Sequence, residues 1–141
     1  MDEGVFSLNL RRVKLYGWQG YVGLDTLMKN INGILSRNPT KPVIVTPKRC
    51  DGNEENLIEY QIAVIYDKQR GAICGGHHRS FAHWLLSVDL HCRLPQGRDV
   101  LSIPMPRPQL YTPISELVVC KESELEENIR KRQEILTEKT I

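Results

Sequence analysis

Leu24, Leu27, Met28, Ile31, Ile34 and Leu35 recur at three- and four-residue spacing, which predicts an amphipathic helix over 24–35. Asp25 stands near its start, and the run SRNP at 36–39 is its stop. Period two and β-branched residues take over elsewhere. Residues 8–15 read as a first strand, and the two glycines of YGWQGY at 16–21 as a turn or loop. KPVIVTP at 41–47, bounded by prolines, predicts a buried strand. After the polar loop KRCDGNEEN, the segment LIEYQIAVIYD at 57–67 predicts another strand with room for a bulge. Residues 72–74 continue the sheet or form a short strand of their own.

Phe81, Ala82, Trp84, Leu85 and Val88 return to helical spacing, giving a second helix over 79–90 followed by a loop, RLPQGRD. Residues 100–105 read as a further strand, and four prolines between 104 and 113 forbid regular helix there. Ser123 with Glu126 three positions on is a capping-box signature for a final helix. Its apolar positions Leu125, Ile129 and Leu136 form only a narrow stripe, suited to a docking or dimer seam or to packing along its own domain. The pattern therefore predicts an α+β fold: a small mixed sheet with flanking helices and a charged C-terminal helix. Residues 1–110 form the expected main domain and 111–141 a C-terminal extension with one helix.

Composition changes this picture little. A chain of 141 residues is about one domain, and Cys50, Cys74, Cys92 and Cys120 are too scattered to suggest a metal knuckle or a disulfide framework. Met1 is followed by Asp2, Glu3 and Gly4 rather than by a basic and then apolar leader, so a soluble cytoplasmic protein is expected. Nineteen basic and 17 acidic residues leave a net charge of +2. Six glutamates lie between 122 and 138, so the chain before them is more basic than the total suggests, which permits a phosphate-bearing partner without demanding one.

The most polar stretch of the middle region, GGHHRS at 75–80, falls where a strand gives way to a helix. Gly75 and Gly76 allow close backbone approach, and the helix start adds free N–H groups and the positive end of a dipole. Arg79 can grip two oxygens, Ser80 offers a hydroxyl, and His77 and His78 can donate hydrogen bonds or serve as a general base. Together they predict an anion cradle. The plainer alternative is a glycine turn with surface histidines and an arginine paired to an acid. A metal site drawn from His77, His78, His83, His91, Cys74 or Cys92 lacks an H-x-x-x-H or C-x-x-C spacing. Cys74 as a nucleophile beside the histidines competes with a buried, inert thiol. Glu59 and Asp67 are the nearest acids that could hold a divalent ion such as Mg²⁺.

Residues 24–86 resemble the N-terminal domain of the ParB family, which shares its fold with sulfiredoxin. The resemblance lies in LDTLMKNINGIL, KPVIVTP, EYQIAVIYD and GGHHRSFA taken in that order. It implies a box that binds nucleotide phosphates, those of ATP or CTP, lined by Gly76, His77, His78 and Arg79, with Arg79 the principal contact. His77 stands where sulfiredoxin has its catalytic cysteine, which disfavours sulfinic-acid reduction. The residues after Cys92 do not read as a helix-turn-helix and dimerisation segment, which disfavours partition-site recognition and a sliding clamp. What remains is a stand-alone nucleotide-binding domain that hydrolyses a nucleotide or nicks DNA, with His77 or His78 activating water. Its alternative is a non-catalytic regulator binding nucleotide, DNA or a protein partner.

Overall fold

The computed structural model describes residues 4–48, 59–63, 65–67, 72–96 and 108–138. The first strand expected over 8–15 is two strands, β1 (Phe6–Leu8) and β2 (Leu15–Gly17). Asn9 breaks it: its carbonyl accepts the N–H groups of Arg12 and Val13, and its side chain accepts that of Arg11. Such a side-chain-assisted turn competes directly with strand pairing. β3 (Tyr21–Gly23) then runs straight into α1 (Leu24–Leu35), which has the bounds its periodicity predicts. The SRNP stop closes α1, with Arg37 left-handed at φ 56° and the Asn38 N–H returning to the Gly33 carbonyl.

β4 (Val43–Lys48), β5 (Glu59–Ile62), β6 (Ile65–Asp67) and β7 (Ala72–Cys74) follow, the interruption between β5 and β6 falling inside the segment predicted as one strand. α2 spans His77–Leu86, starting two residues earlier and ending four earlier than its apolar spacing suggested. Ser87 turns left-handed at φ 55°, and the Val88 N–H bonds back to the His83 carbonyl. Leu90 and Cys92 therefore belong to a strand, β8 (Leu90–Arg93), where both are fully buried and His91 between them is exposed. β9 (Thr112–Pro113), β10 (Val118–Cys120) and α3 (Leu125–Glu138) complete the described elements. The strand expected over 100–105 lies outside the described residues.

The principal sheet is mixed, in the order β1-β8-β4-β5-β2-β9. β8 lies parallel to β4 and β2 parallel to β5, while the β1–β8, β4–β5 and β2–β9 pairs are antiparallel. Pro113 is tolerated because β9 is the last strand of this sheet, where a missing N–H costs no ladder bond. β3 pairs in parallel with β10, and β6 with β7 as a separate antiparallel hairpin. The core joins Leu15, Val43, Val45, Ile62 and Leu90 of the sheet to Leu27 of α1 and Phe81 and Ala82 of α2. A smaller cluster forms where Leu136 of α3 and Tyr111 pack against Trp18 and Leu110. Among the described residues no helix is long and apolar enough to cross a membrane.

Candidate functional site

The β6–β7 hairpin delivers the chain to Gly75 and Gly76, and Gly76 starts α2 in the left-handed conformation, φ 89° and ψ 24°. A side chain there would be strained on its backbone, and its Cβ would lie 3.0 Å from a Val43 methyl. The turn therefore brings the start of α2 close against Val43 of β4. Ser80, fully buried, closes the first helical bond, its N–H donating to the Gly76 carbonyl at 3.0 Å and its hydroxyl to the same oxygen at 2.8 Å. Ser80 thus holds the turn. The amides of residues 77–79 stand before the first ladder bond, as at every helix start.

His77 is almost wholly buried, at 1% exposure. Its Nε2 accepts the backbone N–H of Trp18 at 2.9 Å, so the ring proton is on Nδ1. Nδ1 is buried and has no hydrogen-bond partner among the described residues. The imidazole meets the Trp18 indole edge to face, with centroids 4.7 Å apart. Glycines stand on both of its sides: a Cβ on Gly17 would fall 2.6 Å from Cδ2, and one on Gly75 2.9 Å from Cε1 and Nδ1. Burial first, then the charges of His78 and Arg132, lower its pKa from 6.5 to about 3. His77 is a neutral donor at neutral pH.

His78 points to the start of α1. Its Nε2 accepts the Gly23 N–H at 2.8 Å, burial lowers its pKa, and nearby Glu122 opposes that shift. Glu122 accepts the Thr26 N–H at 2.6 Å and lies against Gly23, a bond that holds its carboxyl below the usual range. A carboxylate thus sits at the positive end of α1, where the dipole favours it. Ser123 of the predicted capping box lies with Glu122 in a 3-10 turn, Glu122–Glu124, that leads into α3.

Arg79 donates through Nη1 to the Lys41 carbonyl, while its buried Nε has no partner among the described residues. Partial burial lowers its pKa, although arginine stays charged. Trp18, 8% exposed, carries another buried donor without a partner among the described residues, its indole Nε1–H. The indole Cζ2, two bonds from Nε1, would be 3.4 Å from a Cβ on Gly75, so Trp18 and His77 converge at that glycine. Sequence reasoning missed Trp18. Its signal was the glycine before it, whose absent side chain makes room for the imidazole.

Two of the metal candidates fall on side chains that are not described. Glu59, on β5, accepts the Tyr16 hydroxyl at 3.0 Å, and the side chain of Asp67 lies outside the described residues, as does that of Cys74. Among the described residues no group of three His, Cys, Asp or Glu could hold a metal ion. Cys92 is buried, which pushes its thiol up to about 12, and His83 donates Nδ1–H to the Asp89 carbonyl at 3.0 Å.

No family model, no curated protein and no solved structure matches this chain.

Proposed function

We propose that this chain binds a nucleotide, ATP or CTP, by its phosphates at the first turn of α2, on a ParB/sulfiredoxin-like frame. The observation that carries this reading is that, among the described residues, His77 Nδ1–H, Trp18 Nε1–H and Arg79 Nε–H are buried donors with no acceptor. A buried donor left unpaired costs about 1–3 kcal/mol. Two of them meet at Gly75 and the third is carried by the same first turn of α2, which matches a ligand rich in acceptor oxygens and poor in donors. Phosphate is such a ligand, and the free amides and dipole of the turn favour its charge. The glycines let the turn open for the ligand, and Arg79 exchanges the Lys41 carbonyl for a phosphate oxygen, a charge-assisted bond of about 1.5–3 kcal/mol. The order helix, strand, antiparallel partner, glycine box, helix and parallel return strand supports the family resemblance on which the choice of nucleotide rests.

Binding is favoured over hydrolysis or DNA nicking because both imidazoles already use Nε2 to accept a backbone N–H. Neither has that nitrogen free to take a proton from water. The function is thus a nucleotide-dependent binding module, with DNA or a protein as the partner it regulates. The test is thermal stability against ATP, CTP, GTP and ADP, with and without magnesium, repeated on Arg79→Ala. A nucleotide that raises the wild-type midpoint and leaves the variant unmoved supports the reading, since ligand at 100 times its dissociation constant adds about 2.7 kcal/mol. No shift with any nucleotide overturns it.

A further inference from the structure

The Trp18 peptide is engaged at both ends. Its N–H donates to His77 at 2.9 Å, and its carbonyl accepts from Nη1 of Arg132, on α3, at 3.3 Å. The same guanidinium donates through Nη2 to the Leu110 carbonyl at 3.0 Å, so one planar group bridges two separate chain segments. Its Cδ and the guanidinium Nε lie over Gly20, in the space a side chain there would fill. One turn further along α3, Leu136 packs against the Trp18 and Leu110 cluster. Arg132 is partly buried, which lowers its pKa, and among the described residues no carboxylate neutralises it within ion-pair distance. The other cations near the middle of α3 are taken up on the exposed face, Arg130 by Glu127 and Glu134 and Lys131 by Glu127.

We propose that Arg132 is a positioning residue of the phosphate site: by bridging the Trp18 and Leu110 carbonyls it holds the Trp18 peptide, and through it the His77 ring, with Nδ1–H available to the ligand. Docking of α3 and nucleotide affinity are thereby linked. This rests on the phosphate reading above. Linkage makes the effect reciprocal, so ligand at the α2 turn also tightens α3.

The experiment is calorimetric titration of the full chain with ATP and with CTP, for wild type, Arg132→Ala and Arg132→Lys, well below their melting temperatures. Arg132→Ala should bind the preferred nucleotide at least about tenfold more weakly, the scale of about 1.4 kcal/mol. Arg132→Lys keeps the charge but cannot bridge two carbonyls with one planar fork, so it should stay weak. Full affinity in either variant overturns the inference and leaves the phosphate site standing. Wild type that binds neither nucleotide overturns the site itself, and the inference with it. If the variants do not fold, amide hydrogen exchange of wild type decides: saturating nucleotide should slow exchange across 125–138, and unchanged exchange there overturns the coupling.

Discussion

The backbone N–H of Trp18 donates to Nε2 of His77 across 59 positions of sequence, at 2.9 Å. That bond fixes the tautomer of a fully buried imidazole and turns its only proton toward Gly75. It also explains the glycines at 17 and 75, which leave room for the ring on both sides.

Gly17→Ala should destabilise the fold by about 1–3 kcal/mol, the usual cost of forcing a methyl into filled space. The clash is with His77, so the cost should shrink when the ring is absent. A double-mutant cycle with His77→Ala, read by urea unfolding, should show coupling of about 0.5–3 kcal/mol. Additive effects would place the strain elsewhere.

Acid should weaken the protein, through His77 first. Its folded pKa is about 3 against 6.5 when unfolded, so between those values the unfolded chain binds the extra proton. Stability is full above 6.5 and is lost as the pH falls, at about 1.4 kcal/mol per pH unit for one proton. Burial lowers His78 and His83 as well, which adds to the slope in the same direction. Urea midpoints measured across this range should fall steadily with acidification, and His77→Gln should flatten the curve. A flat wild-type curve would contradict a buried neutral imidazole.

The two cysteines whose side chains are described should differ in reactivity. Cys92 is fully buried, with its thiol raised to about 12, whereas Cys120 is half-buried on β10. Alkylation of native protein followed by peptide mapping should label Cys120 and spare Cys92 until denaturant is added. Labelling of Cys92 at the same rate would mean that β8 opens freely.

α1 was legible to the residue because amphipathic spacing and a left-handed stop are both local signals. α2 was placed correctly but drawn too long. Val88 and Leu90 continue an apolar pattern, yet Ser87 turns left-handed and β8 takes Leu90 for pairing with β1 and β4, a tertiary demand that spacing does not carry. β9 and β10 were missed because two- and three-residue strands have no usable period, and each exists through a distant partner, β2 or β3. At the site, GGHHRS announced a glycine turn opening a helix, which the structure has at Gly76 and His77. It did not announce that Ser80 would bond the Gly76 carbonyl, that Trp18 would close over His77, or that Arg132 would bridge from 114 positions away. Those contacts are set by packing between segments far apart in sequence.

The most direct measurement is a ¹H–¹⁵N spectrum of the chain titrated with ATP and with CTP. There are two tryptophans, and the second is an internal control: Trp84 stacks on Phe81, with the Arg11 guanidinium 4.5 Å from its ring centroid. Nucleotide should move the Trp18 indole N–H and the His77 Nδ1–H downfield to saturation, leave the Trp84 indole in place, and do neither in Arg79→Ala. An unmoved Trp18 indole at saturating nucleotide, or a shift confined to Trp84, would contradict a phosphate site at the start of α2.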